Sequence, residues 1–395
     1  IASRAATTAF HPVKSWTSAV EGARSAARLL APSSDPLSPL LTGRGVDRRA
    51  SMAELELERL HHAAAKHGCT INQAFFAGAI GGIAAYHREL GSPTQRLRVS
   101  MPISTRRPGH AKAGNQWAPV RFVVPTNVDD PIERMLEMRT LVESSRREKA
   151  LGFSQSIAGA IQILPSTLSS GLVGQMMHGV DASLTNVPGL TEPHYLAGAS
   201  VERIFAFAPT AGAALNIGLV SHLGIACIGT LSDAAAVTEP ELLNELIAAG
   251  LDEVIKVAQQ RPPTERPEPP VERDEARSDT ADAPTPERLS AVDTSFLRLE
   301  TPDAPLHIGG VFVLEGEHLR DADGRIRIGD ARRRIEARLR HIPRFRRRLS
   351  EVPFGLGRPL WVDHEGFDIE RHVQLTAVAS PGTHQDLLDL CAELY

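Results

Sequence analysis

Apolar and polar positions recur along this chain with two periods, and the change from one to the other marks its elements. Between residues 52 and 68, Leu55, Leu57, Leu60 and Ala64 keep approximate helical spacing, and Gly68 ends the run in the manner of a C-terminal helix glycine. Thr70 precedes a second apolar helix over 72–90, in which Phe75, Ile80, Ile83 and Tyr86 are interleaved with small residues that permit close packing. Short runs rich in β-branched residues and bounded by turn residues predict strands over 97–103 and 120–125. Helices are predicted over 131–148 and 157–177, then strands over 182–187, 201–206, 214–221 and 225–230. The last two form a hairpin across His222-Leu223-Gly224, and a helix over 239–259 follows.

The stretch 259–288 breaks both periods. It holds seven prolines and thirteen charged residues but no aromatic residue, too little apolar surface to order itself, and it predicts a disordered linker. A weaker break, rich in Pro, Gly and Ser, lies over 31–51. Beyond the linker the pattern predicts a short capped helix over 290–297, a strand over 307–315, a helix over 329–340, a strand over 359–362 and a helix from His384 onward. This block is strand-poor and by itself would leave unpaired edges, so it is expected to pair with something else. The expected organisation is residues 1–37 as the tail of a preceding segment, 38–258 as a first α+β layer domain, 259–288 as linker and 289–395 as a partial second domain.

Composition narrows the function classes. The 395 residues are 42% hydrophobic and 23% charged, and 43 Lys plus Arg against 47 Asp plus Glu leave a formal charge of −4, so no global basic excess recruits nucleic acid. The longest nearly uninterrupted apolar stretch, 74–86, contains three glycines and is short of the roughly 20 residues of a membrane-spanning helix. Cys69, Cys227 and Cys391 are far apart and odd in number, which indicates neither a disulfide framework nor a zinc site and favours buried structural thiols. The chain opens on Ile1 and closes in mid-pattern, so both ends are expected to be cuts through something longer.

Three local features carry candidate chemistry. His61-His62 could supply a general base, but neighbouring helical residues point about 100° apart and no companion acid lies on the next turns, so a non-catalytic pair is the favoured reading. Residues 320–348 hold twelve arginines against four acidic residues, an excess that could grip phosphates or anionic lipid, or could simply be a solvated helix face. Asn186-Val187-Pro188-Gly189 and Gly114-Asn115-Gln116 both have turn composition and, on residue physics alone, are turns. No P-loop, dinucleotide fingerprint, GxSxG elbow or EF-hand loop is present.

Larger segments carry a family likeness. Leu289-Ser290-Ala291-Val292-Asp293, Pro305-Leu306-His307-Ile308-Gly309-Gly310, Pro343-Arg344-Phe345-Arg346-Arg347-Arg348-Leu349 and Arg358-Pro359-Leu360-Trp361-Val362 resemble the opening of the bacterial wax ester synthase/diacylglycerol acyltransferase family. The first block resembles that family's C-terminal half. Gly68-Cys69-Thr70-Ile71-Asn72-Gln73 is similar to its Gly-x-Thr-x-Asn-Asp segment, with Gln73 where an aspartate is usual. Val99-Ser100-Met101-Pro102-Ile103-Ser104-Thr105-Arg106, Gly114-Asn115, Asn186-Val187-Pro188-Gly189, Tyr195-Leu196-Ala197-Gly198-Ala199 and Leu215-Asn216-Ile217-Gly218-Leu219 follow in the family's order.

The halves stand in reverse order, as in a central piece of a tandem fusion or in a circular permutation. The resemblance implies a fold like chloramphenicol acetyltransferase, an α+β two-layer sandwich, incomplete here, with a C-terminal-type domain followed by a partial N-terminal-type one. It implies transfer of a long-chain acyl group from acyl-CoA to diacylglycerol or a fatty alcohol, with acyl-CoA as substrate and no cofactor. The expected setting is the cytoplasm, peripherally on a membrane or lipid droplet, without nucleic acid. The alternative is a non-catalytic lipid-binding or scaffolding module of the same fold. The family's HHxxxDG motif, whose second histidine is its general base, is absent from these residues, and His61-His62 is not it. Asn72, Gln73, Asn115, Asn186, Pro188, Gly189 and Asn216 are the candidate substrate-binding positions, and Gln73 puts any charge at its position in doubt.

Overall fold

The computed structural model describes residues 36–104, 117–146, 179–261, 287–290, 293–294, 296–297, 300, 306–353 and 357–394. Strand β1 (Arg48–Glu56) runs directly into helix α1 (Leu57–Lys66) and, after Gly68, into α2 (Ile71–Glu89). The helix expected to begin at 52 therefore begins five residues later, and the break expected over 31–51 already contains strand. The reason is that β1 is covered on both faces: Ala53 and Leu55 join one apolar cluster, Ala50 and Met52 another. A strand covered on both faces loses the clean alternation that distinguishes it from a helix.

Strands β2 (Arg96–Ser104) and β3 (Trp117–Pro125), helix α3 (Pro131–Arg146) and strand β4 (Ala182–Val187) follow. Then come β5 (Tyr195–Leu196), β6 (Ala199–Phe207), β7 (Leu215–His222), β8 (Ile225–Asp233) and helix α4 (Pro240–Gln260). Six of the strands form one sheet in the order β1-β8-β7-β4-β2-β3. Its centre is parallel, β7 to β4 and β4 to β2, and its flanks are antiparallel. The predicted helix over 157–177 lies outside the described residues. The hairpin turn is made by Leu223 (φ 46°) and Gly224 (φ 83°) alone, the left-handed pair of a two-residue turn.

Helices α2 and α4 cover one face of the sheet. The small residues expected to permit close packing do so: a Cβ on Gly250 would stand 2.4 Å from the Gly78 carbonyl oxygen, and one on Gly78 would meet Leu251 Cδ2 at 2.6 Å. The two backbones thus cross in direct contact over Leu184, Leu215, Ile217 and Ile228. At the edge of this core Asp181, fully buried, accepts hydrogen bonds from the amides of Ser38 (3.1 Å) and Arg98 (2.6 Å). Ser38 Oγ also meets His87 Nε2 at 2.7 Å, while His87 Nδ1 lies 2.8 Å from the Ile83 carbonyl, so the segment before β1 is tied to α2 and β4.

Strand β6 crosses the opposite face. It approaches so closely that a Cβ on Gly229 of β8 would lie 2.4 Å from the Ala206 carbonyl oxygen. Beyond residue 286 the chain forms β9 (Glu287–Arg288), β10 (Gly309–Leu314), α5 (Ile328–Arg338), β11 (Arg347–Ser350), β12 (Leu360–Asp363), the four-residue α6 (Ile369–His372) and α7 (His384–Leu394). Antiparallel pairing of β10 with β6 gives the strand-poor second block the partner it needs. Leu388 of α7 joins Ala50, Phe205, Phe207, Cys227 and Leu231 in a second apolar cluster shared by the two blocks. Helix α4 runs to Gln260 and Glu287–Arg288 pair with β12, so ordered backbone reaches into both ends of the 259–288 stretch.

Candidate functional site

The candidate residues do not form one site. Asn186 is the fifth residue of β4, in register with Leu219, and shares the helix-covered face with Leu184 and Leu219. Its side-chain amide N–H donates to Oδ1 of Asn72, in the first turn of α2. Two half-buried amides are thereby locked together where the carboxyl ends of parallel β4 and β7 meet the N-terminus of a long helix. The exposed Pro188 follows, and Gly189 lies flat against β7: its N–H donates to Ser221 Oγ at 3.2 Å, and a Cβ there would fall 1.8 Å from the Ser221 carbonyl oxygen. Glycine is thus required at 189 by close approach. Asn115 lies outside the described residues.

Gln73 is next to Asn72 in sequence but differently used. It is buried, and its Oε1 accepts from the Thr70 amide at 2.7 Å, closing a capping box at the start of α2. The Thr-x-x-Gln spacing of residues 70–73 carried that signal.

Asn216 is buried on the other face of the sheet, because it alternates with Leu215 and Ile217 of the helix-side core. There it belongs to a row: Arg121 is in register with Ser100, Ser100 with Ser183, and Ser183 with Asn216. Arg98 stands diagonally next to Arg121 on the same face, its register partner being Val123. Burial lowers the Arg121 pKa from its ordinary value, and the positive charge of Arg98 adds to that lowering. Arg98 Nη1 donates to the Gly179 carbonyl at 2.7 Å. Sequence reasoning passed over Arg98, Ser100, Arg121 and Ser183; the available signal was alternation, Arg96, Arg98 and Ser100 falling between Leu97, Val99 and Met101.

His61 and His62 are both exposed on α1, their rings stacked at 6.4 Å, as a surface pair. Much of the arginine run is spent inside its own block: Arg332 pairs with Glu370, Arg344 with Glu287, and Arg347 with Asp363. Chemically, the Asn72–Asn186 junction offers uncharged donors and acceptors, which can orient a carbonyl or hydroxyl but cannot take its proton at neutral pH. Among the described residues no group of three or more His, Cys, Asp or Glu side chains is placed to hold a metal ion. No described helix is long and apolar enough to cross a membrane.

Compared with known proteins, residues 3–75 and 289–395 match the wax ester synthase/diacylglycerol acyltransferase catalytic domain, and residues 113–255 match the C-terminal domain of the same family. A Mycobacterium tuberculosis (strain H37Rv) protein named as a diacylglycerol O-acyltransferase is 34% identical over 247 residues, 62% of this chain and 50% of that protein. A second protein of that strain, named as diacylglycerol O-acyltransferase tgs3, is 38% identical over 107 residues, 27% of this chain and 38% of its own length. The chain therefore spans about half or less of the length of these relatives. Among solved structures, the wax ester synthase/diacylglycerol acyltransferase from Marinobacter aquaeolei VT8 is 19% identical with a TM-score of 0.42, covering 62% of this chain and 57% of that one. A cyclization-docking bidomain from Sorangium cellulosum is 16% identical with a TM-score of 0.42, covering 62% and 50%.

Proposed function

Because the chain belongs to the wax ester synthase/diacylglycerol acyltransferase family, we propose that it is part of an O-acyltransferase that moves a long-chain acyl group from acyl-CoA to diacylglycerol or a long-chain alcohol. The observation that carries this reading is the succession of the two matches, a C-terminal domain over 113–255 followed by catalytic-domain sequence over 289–395. It fits a C-terminal half joined through a Pro-rich, charged stretch to the start of a second unit. In the reaction the acceptor hydroxyl oxygen attacks the thioester carbonyl and a base takes the hydroxyl proton. The CoA sulfur then leaves and recovers a proton, giving an ester and free CoA.

In this reading the chain contributes binding and orientation. Asn72 and Asn186 hold polar groups of the substrate beside the end of β4, and Gly189, having no Cβ, lets the chain that follows lie directly against β7. The base belongs to the family's HHxxxDG motif, which these 395 residues do not contain. The enzyme would meet its lipid substrates at a membrane or lipid-droplet surface.

A second reading, a non-catalytic lipid-binding module, is favoured for the chain by itself by the amide-only chemistry of the Asn72–Asn186 junction. One assay separates them: CoA release from palmitoyl-CoA with diacylglycerol or hexadecanol, measured on this chain and on forms lengthened at each end until HHxxxDG is included. Release by the longer forms alone supports the acyltransferase reading. No release by any form with any acceptor sinks it and leaves the binding module.

A further inference from the structure

The arginine run contains one segment that its own block does not absorb. Residues 338–348 hold six arginines and His341 with no acidic residue. Glu287 reaches Arg344 at 2.7 Å, and Asp363 reaches Arg347 at 3.2 Å. Arg338, Arg340, Arg346 and Arg348 are exposed and have no acidic partner among the described residues. Between them two large apolar side chains face solvent, Ile342 at 47% and Phe345 at 69% exposure.

Their placement is built in. The Phe345 amide donates to the Ile342 carbonyl at 3.1 Å, and the 3-10 turn Pro343–Arg346 has Ile342 as its N-cap. Ile342 at the N-cap and Phe345 within the turn, joined by that bond, are the large apolar side chains this turn exposes and together make its apolar tip. The turn is held from below by buried Leu339 on one side and by the β11–β12 pairing on the other. The Arg344 guanidinium lies 5.8 Å from the Trp361 ring centroid and that of Arg346 5.1 Å from the Phe367 centroid, which anchors the basic rim to the block. An apolar tip ringed by cations with no counter-charge matches a surface that is negative outside and apolar just beneath.

We propose that residues 338–348 form a docking wedge that seats this protein on an anionic lipid surface, with Ile342 and Phe345 entering the interface and Arg338, Arg340 and Arg348 resting on the headgroups. The inference takes its partner from the lipid-substrate reading above, but vesicle binding needs no turnover. Absent CoA release therefore sinks that reading alone, and absent vesicle binding sinks this one alone.

The test is co-sedimentation of the 395-residue chain with vesicles of phosphatidylcholine and of phosphatidylcholine with phosphatidylglycerol. Retention by the phosphatidylglycerol vesicles only is expected. Ile342→Ser with Phe345→Ser should weaken it roughly tenfold, and Arg340→Gln or Arg348→Gln about fivefold each. Because those side chains are exposed, the variants should melt like the parent. Phe345→Trp gives an independent reading, a blue shift of emission on phosphatidylglycerol vesicles. Equal binding to both vesicle types, full binding by the serine variant, no shift from the tryptophan, or preferential retention by single-stranded nucleic acid would each overturn the proposal.

Discussion

Asn186 at the end of β4 and Asn72 in the first turn of α2, 114 residues apart in sequence, are joined amide to amide. The bond fixes a helix N-terminus to a strand end, and removing either partner leaves the other half-buried amide unpaired. We expect Asn72→Ala and Asn186→Ala each to cost about 1–2 kcal/mol in urea unfolding, and the double variant to cost less than their sum by about 1 kcal/mol. Additive losses would mean that the two side chains act separately. Gln73→Ala should also destabilise, by about 1 kcal/mol through the lost cap.

Gly250→Ala decides between propensity and contact. In a helix interior the change alone would stabilise by about 1 kcal/mol. Here the new Cβ would stand 2.4 Å from the Gly78 carbonyl, against backbone that can move only by separating α2 from α4. Overpacking of this kind costs about 1–3 kcal/mol, so a lower melting temperature is expected. A higher one would show that the helices can separate without penalty.

Leu223 holds φ 46° in a two-residue hairpin turn, a conformation that costs an L-residue roughly 1–2 kcal/mol and that asparagine tolerates. Its side chain is 43% exposed, so only part of its apolar area is lost on replacement. Leu223→Asn should therefore raise stability by about 0.5–1 kcal/mol in thermal or urea melts, with no change in the circular dichroism spectrum.

Burial pushes the His87 imidazole below its ordinary pKa, opposed by its hydrogen bond to the Ile83 carbonyl and the charge of Asp181. Because the folded value is the lower one, unfolding takes up a proton between the two values. His87 then contributes full stability above about 6.5, and that contribution declines as pH falls below it. The urea midpoint should drop between about pH 7 and about pH 5, and His87→Gln should flatten that drop. Burial raises the Asp181 carboxyl, whose sign is opposite, so the comparison with the glutamine variant isolates the histidine.

Where one face of a strand is apolar and the other is not, residue pattern was enough: 182–187 is β4 to the residue. It was not enough at 48–56, where both faces are covered, or at Arg347–Ser350, whose charged strand is defined only by pairing with β12. Of the candidate site, the Thr70–Gln73 cap and the face occupied by Asn216 could be read from spacing of three and alternation of two. The Asn72–Asn186 bond and the row from Arg121 to Asn216 could not, because each depends on register between strands distant in sequence.

The seam between β6 and β10 also has a history in time. Gly309, the first residue of β10, is made about 100 residues after Phe207 closes β6, and at roughly 5–20 residues per second this leaves the open edge of β6 waiting about 5–20 s on the ribosome. Over that interval Phe205 and Phe207 lack the cover that β10 and α7 later provide, and a bare strand edge beside bare phenylalanines invites pairing with a neighbouring nascent chain. Soluble yield should therefore fall with slower elongation or denser ribosome loading, and co-expression of residues 287–395 as a separate polypeptide should restore it.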